Sequence, residues 1–262
     1  IGTAQQTLAE DDPRAAINSP ELYKLKDRFP LQVDLEASDI REICVKRLLG
    51  KSSSGEQKLG ELFDKQGQAL RQNTKLEDAK FYDSDLERQT FINLYPFLPA
   101  HFDILLNLLG QLAKSTGGIG LRSAIKVIQD ILIDSDIEAM AVADWPVGRL
   151  ATSVTLYESL EKDIRAAFSS IHHAVGNSII RFPESATHQQ IAKTVAVLQI
   201  LGNIPITRSN VVSLMHEEIN ASTREDDIEA AICELLADPM VPLGDTEGKL
   251  QFFSEVVNEN EQ

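Results

Sequence analysis

Residues 102–113 read FDILLNLLGQLA, with apolar side chains around almost the whole circumference of a helical wheel. A helix of that kind has no broad polar face to offer water, so other elements must enclose it. At twelve residues it falls far short of the roughly 20 apolar residues that a bilayer span needs. The constraint is therefore a folded shell around a buried helix. A chain of 262 residues with 43% apolar content can build that shell, so global disorder is excluded.

The rest of the pattern is also mainly helical. Ser38 is placed to cap a helix through Ile43, Cys44, Leu48 and Leu49, which Gly50 stops. Residues 52–55 read as a short flexible break before an amphipathic helix from Leu59 to Leu76. Leu121 to Ile133 and Val154 to Val175 read as two further helices. Pro-framed Tyr95-Pro96-Phe97-Leu98-Pro99 is punctuation, as is Phe182-Pro183-Glu184-Ser185, where we place a domain boundary. Before Ser38 the signals are mixed. Pro20 to Lys26 is a short helix candidate, and Leu31, Val33 and Leu35 alternate as a half-buried strand does. Ile1 to Gln6 has no ladder partner and should fray.

From position 186 the pattern predicts three helices and a β-hairpin, which is the winged-helix arrangement. The helices run from about His188, from a Thr207 cap, and from a Ser222 or Thr223 cap. Met240 to Leu243 and Leu250 to Val256 are the strands, with residues 244–248 as the turn.

Charge limits what that module can do. Forty acids against 25 Lys and Arg leave the chain at −15. Residues 186–262 hold 13 acids and 4 bases, a net of −9. The helix that would read DNA carries Glu225, Asp226, Asp227, Glu229 and Glu234. Such a surface repels a duplex, so the module is expected to contact protein. Two cysteines, Cys44 and Cys233, are too few for a disulfide framework and suit a reducing compartment. With no apolar leader at its start, the chain is read as cytoplasmic and without a membrane partner. Position 1 is Ile rather than Met, which we take to mark an excised piece of a longer protein.

Several local patterns imitate catalytic motifs. Gly50-Lys51-Ser52 resembles the tail of a phosphate-binding loop, but the earlier glycine is replaced by Val45 and a helix precedes it instead of a strand. His172 and His173 point about 100° apart on a helix and share no metal easily. Two arginines stand out. Arg28 precedes the strand candidate, and Arg122 opens a helix, where a cation needs a nearby anion. Each can equally be a solvated arginine or half of a surface ion pair.

Thr3-Ala4-Gln5-Gln6, Asp27-Arg28-Phe29-Pro30, Tyr95-Pro96-Phe97-Leu98-Pro99 and Gly120-Leu121-Arg122-Ser123-Ala124 follow one another in an order that resembles the second half of an AAA+-type P-loop ATPase. The family is that of the bacteriophage-exclusion (BREX) defence ATPases. The resemblance covers most of residues 1–135. It implies a mainly α fold: the end of an AAA+ core over 1–36, a helical lid over 37–135, a helical linker over 136–185 and a winged helix over 186–258. It implies that Thr3 ends the sensor-1 strand near the γ-phosphate. Arg28 would be an arginine finger reaching a neighbouring subunit's nucleotide. Arg122 would be the sensor-2 arginine directed at the phosphates. ATP and Mg²⁺ are then cofactors of the longer parent, whose phosphate-binding loop lies upstream, and this chain alone should be inactive and bind neither tightly. Partners would be further copies of itself or other defence proteins, with DNA reached only through the full complex. The alternatives are a non-enzymatic helical and winged-helix adaptor or regulator that binds protein and, behind it, a DNA-binding winged helix.

Overall fold

The computed structural model describes residues 37–82, 86–116, 121–133 and 141–253. Thr3, Arg28, the Pro20–Lys26 helix candidate and the strand candidate around Val33 all lie outside them.

The described chain is mainly helical. In order come α1 (Ala37–Arg47), α2 (Ser53–Asn73), a 3₁₀ turn (Lys80–Tyr82), α3 (Arg88–Leu94), α4 (Pro99–Thr116) and α5 (Leu121–Ile133). A second 3₁₀ turn (Val142–Asp144) leads to α6 (Ser153–Ser159), α7 (Glu161–Ala167) and α8 (Ser169–Arg181). Then follow α9 (Ala186–Leu201), α10 (Arg208–Leu214), α11 (Glu225–Ala237) and the antiparallel hairpin of β1 (Leu243–Thr246) and β2 (Lys249–Phe252).

Helix α4 is the buried helix that the sequence requires. Phe102, Ile104, Leu105, Leu108, Leu109 and Leu112 are closed off from solvent. Its shell consists of α3, α5, α7 and α9, with the Lys80–Tyr82 turn at one end. Helix α9 is enclosed even more fully, by α4, α6, α8, α10, α11 and β2. One hydrophobic cluster takes Phe102 and Leu108 from α4, Val195 and Leu198 from α9, Ile232 from α11 and Leu250 from β2. The core thus runs without a break across position 186. A smaller cluster joins α2 to α3 through Leu59, Phe63, Leu70 and Phe91, with the Phe63 and Phe91 rings 5.2 Å apart.

Several sequence expectations are corrected locally. Residues 52–55 are no flexible break: Ser52 is the N-cap of α2, and its hydroxyl accepts from the Gly55 N–H at 3.1 Å. The Val154–Val175 helix is three short helices. Leu160 and Phe168 leave helical geometry, with φ −109° and −134°, which re-aims the chain while Tyr157, Leu160 and Ile164 stay buried. Helix α11 starts at Glu225, after Arg224 and not after Ser222 or Thr223. The hairpin turn is only Glu247-Gly248, both at positive φ (55° and 79°). A two-residue turn of that hand matches strand twist, so Gly244 to Thr246 pair as strand. The Thr207 cap stands as read, its Oγ1 accepting from the Asn210 N–H at 3.2 Å.

Two backbone devices tie distant parts together. Residues 148–151 lie between two other segments. The Leu150 N–H donates to Glu217 O at 2.8 Å and the Ala151 N–H donates to Pro96 O at 2.9 Å. The Tyr95 hydroxyl accepts from the Gly148 N–H at 2.8 Å. The Tyr95–Pro99 block is therefore an architectural staple, with Pro99 as the first residue of α4. The second device is Asn210, fully buried on α10. Its side-chain amide meets Glu77 like a strand partner, accepting from the N–H at 2.8 Å and donating to the carbonyl at 3.0 Å. Ser213 adds a bond to Lys75 O at 2.8 Å.

Truncating Asn210 removes the partner of the part-buried Glu77 N–H and carbonyl, each at a cost of up to about 1–3 kcal/mol. Asn210→Ala is expected to lower unfolding stability by about 2–4 kcal/mol, read as the urea midpoint followed by circular dichroism. An unchanged midpoint would show that the 74–82 segment is not held this way.

Candidate functional site

The connection from α2 to the Lys80–Tyr82 turn does not lie flat on α4. Asn210 and Ser213 hold it against α10, and a cavity of about 430 Å³ opens between three segments. One wall is the end of α2 and the connection, with Arg71, Thr74, Lys75, Asp78, Lys80 and Tyr82. The second is the first turn of α4, with Leu98, Pro99, Ala100 and His101, and Leu214 from α10 forms the third.

The first turn of α4 explains part of the cavity's character. The Phe102 N–H donates to Leu98 O at 2.9 Å, which makes Leu98 the N-cap. Leucine has no acceptor for the leading N–H groups, and Pro99 has no N–H, so Ala100 and His101 carry the helix's forward donors. The positive end of the helix dipole lies at the same place.

His101 is the least ordinary residue there. Its side chain is 2% exposed, and neither ring nitrogen has a hydrogen-bond partner. The Leu214 backbone favours the protonated ring, although neither ring nitrogen reaches hydrogen-bond geometry. Burial dominates and lowers the ring's pKa to about 4; His216, itself buried with an unmet Nε2, lowers it further. An imidazole in which neither nitrogen is satisfied is an exception among buried polar groups.

The charges on the rim complete the arrangement. Arg71, Lys75 and Lys80 line the cavity against a single carboxylate, Asp78. The Arg71 Nε donates to Leu86 O at 2.8 Å, and its guanidinium lies 5.0 Å from the Phe63 ring centre. None of the three cations forms an ion pair among the described residues. A chain of net charge −15 thus has one cavity whose lining holds three cations and one carboxylate.

The positions expected from the sequence fall elsewhere. Thr3 and Arg28 are outside the described residues. Arg122 is the second residue of α5, a helix packed on α1, α4 and α6. The Gly50-Lys51-Ser52 imitation is used structurally: Ser52 caps α2, and the Lys51 Nζ donates to Asn93 O at 2.9 Å. His172 is also engaged, its Nδ1 3.0 Å from the Tyr157 hydroxyl.

One further cluster has the outline of a nucleophile–base relay. The Ser185 Oγ lies 2.6 Å from His188 Nδ1, and His188 Nε2 lies 3.0 Å from a Glu234 carboxylate oxygen. Ser185 is the N-cap of α9 and His188 its third residue, so their contact is the local closure of a helix start. Phe182 stacks on the ring at 4.0 Å, and Glu234 is open to solvent. The cluster ties α9 to α11 and is read as structural.

Sequence reasoning missed His101 because it stands at the head of an apolar run. Its one visible signal was a histidine directly after a proline-initiated helix start. No protein-family model matches the chain, and no solved structure matches it. Among the described residues no helix is long and apolar enough to cross a membrane.

The buried imidazole sets a pH dependence. The unfolded ring takes its proton near the ordinary value of 6.5, and the folded one only near 4. Between those values the unfolded state binds more protons, so stability falls as the pH drops from about 6.5 towards 4. His101 should account for about 3 kcal/mol of that loss. His216, lowered for the same reason of burial, adds in the same direction. Urea midpoints at pH 7 and pH 4.5 should differ less in His101→Leu than in the parent chain; equal differences would contradict the assignment.

Proposed function

We propose that this chain is the regulatory part of an AAA+-type P-loop ATPase resembling the BREX defence family, built as a helical lid and linker that end in a winged helix. The winged helix contacts protein, not DNA. The observation that carries the second half is the outer face of α11. Glu225, Asp226, Asp227 and Glu234 are all exposed there, while Ile228, Ala231, Ile232 and Leu235 face the core. The first three complement the positive end of their own helix, and no cation among the described residues pairs with them. Two acids of this helix have partners: Glu229 pairs with Arg208 at 3.0 Å, and the exposed Glu234 lies 3.0 Å from His188 Nε2. A helix with that face cannot sit among phosphates, but it suits a basic protein surface.

The ATPase half rests on the order of the four sequence blocks. Its cofactors are ATP and Mg²⁺, held by the longer parent, with Thr3 and Arg122 toward the phosphates and Arg28 toward a neighbouring subunit. Partners are further copies of the chain or other defence proteins. The reading from a different class, a non-enzymatic protein-binding adaptor, shares the α11 face and lacks the arginine roles.

Two measurements separate these readings. In the longer parent carrying a phosphate-binding loop, Arg28→Ala and Arg122→Ala should each lower kcat by about 10- to 1000-fold. Wild-type turnover in both variants would remove the ATPase roles and leave the adaptor. In fluorescence anisotropy the 262-residue chain should give no salt-sensitive binding to a labelled DNA duplex at moderate ionic strength. Binding that weakens steeply with salt would overturn the protein-contact reading of α11.

A further inference from the structure

Six large apolar side chains are exposed among the described residues, and three of them belong to segments that meet at one end of the winged helix. Single exposed apolar residues are ordinary on a protein surface, but a group of them is not. Ile180 is 75% exposed at the end of α8, and Met240 is 65% exposed just past α11. The Asp238 carboxylate joins their segments: one oxygen accepts from Arg181 Nε at 2.8 Å and the other from the Met240 N–H at 2.9 Å. Phe253 is exposed directly after β2, and its N–H donates at 2.9 Å to the carbonyl of Pro242, two residues past Met240. The patch continues onto α11. Ala230, Cys233 and Ala237 are all exposed, and their spacing of three and four residues sets them in one row that leads to Met240. Small side chains in such a row let a second helix approach closely.

Charge decides what covers this face. Residues 180–184, 225–242 and 252–253, which carry the patch, hold seven acids and one cation, Arg181. Arg181 is already paired with Asp238. Glu184 and Glu234 are exposed on the same segments, and Glu225, Asp226 and Asp227 are exposed at the far end of the row. We propose that this face docks a basic amphipathic helix of another protein, with its apolar side on Ile180, Met240 and the Ala230–Ala237 row and its Lys or Arg side chains toward the carboxylates. The inference rests on the protein-contact reading of the winged helix and adds the chemistry of the partner. Each feature answers one side of such a helix. Its apolar anchors recur at i, i+3, i+4 and i+7, which a flat apolar row receives. Met240 is unbranched and polarisable, so it adapts to anchors of different shape. The 13 residues of α11 span about 20 Å, about the length of a four-turn helix. A second copy of this chain suits the face poorly, because it brings a net charge of −15 to a surface that is already acidic.

The test uses the full 262-residue chain and fluorescence anisotropy with labelled synthetic peptides. The probe is a helix of about 14 residues, roughly four turns, with Leu on one face and Lys on the other. Saturable binding of one peptide per chain is expected. A peptide of the same composition in scrambled order keeps the charge and loses the apolar face, and should bind about tenfold more weakly or worse. Ile180→Ser combined with Met240→Ser should weaken binding of the amphipathic probe by about tenfold or more. Both positions are exposed, so the urea midpoint of that double variant should stay at its parent value, and weakened binding is then not loss of fold. Asp226→Asn combined with Asp227→Asn should also weaken binding and flatten its salt dependence. No saturable binding, equal affinity for the scrambled peptide, or affinity unchanged in the Ile180 and Met240 double variant overturns the proposal. Concentration-dependent dimerisation in size-exclusion chromatography that the same variant abolishes assigns the face to a second copy and overturns it too. Failure here without DNA binding removes the basic helix and leaves the protein-contact reading, whereas salt-sensitive DNA binding removes that reading itself.

Discussion

Helix α9 is enclosed on every side, and most of the architecture follows from that. Ile191, Ala192, Val195, Ala196, Val197, Leu198 and Leu201 are buried around its whole circumference. A surface helix needs one apolar stripe; one buried all round needs partners in every direction. Six elements supply them, and they come from both before and after α9 in the chain. The exceptions to its apolarity are all bonded. The Thr194 hydroxyl lies 2.8 Å from Ser153 Oγ, which in turn donates to Leu214 O. This buried chain fixes α6, α9 and α10 relative to one another, since a slip of any one would strand a polar group in the core. Gly202, in the left-handed region at φ 69°, then ends the helix by donating to Leu198 O.

Locking α10 against α9 has a consequence at the other end of the fold. Asn210 and Ser213 lie on α10 and hold the 74–82 connection away from the first turn of α4. The cavity is bounded by that connection, by the first turn of α4 and by Leu214, and its lining is mixed, with Arg71, Lys75 and Lys80 beside Leu98, Pro99 and Leu214.

How much of this the sequence discloses depends on the range of each interaction. Local signals were legible. The 3.6-residue period gave α5 its bounds at Leu121 and Ile133, and Thr207 was readable as a cap because cap chemistry spans three residues. The Val154–Val175 segment misled because its apolar positions continue in helical phase through Leu160 and Phe168. The breaks there are imposed by tertiary packing, which periodicity does not register. The cavity was illegible for the same reason at larger scale. Arg71, Lys80, His101 and Leu214 share no local pattern, and what joins them is Asn210 reaching Glu77 across 133 positions. The resemblance to an ATPase drew attention to arginines at motif positions. Of the blocks that carry it, Tyr95–Pro99 has a bottom-up explanation as the staple that bonds to Gly148 and Ala151.

Charge distribution gives the two regions opposite characters within one acidic molecule. The field of a −15 chain extends only about 8 Å through physiological salt, so a ligand responds mainly to the charges next to it. At α11 those charges are carboxylates at a helix start, where they satisfy the dipole from the protein's own side chains. At α4 the helix start has leucine as cap and proline at its first position, and no acid stands in its first three residues. The two helix starts are the same physical device in opposite states. One carries carboxylates of its own in the first turn and presents negative charge outward, while the other carries none there.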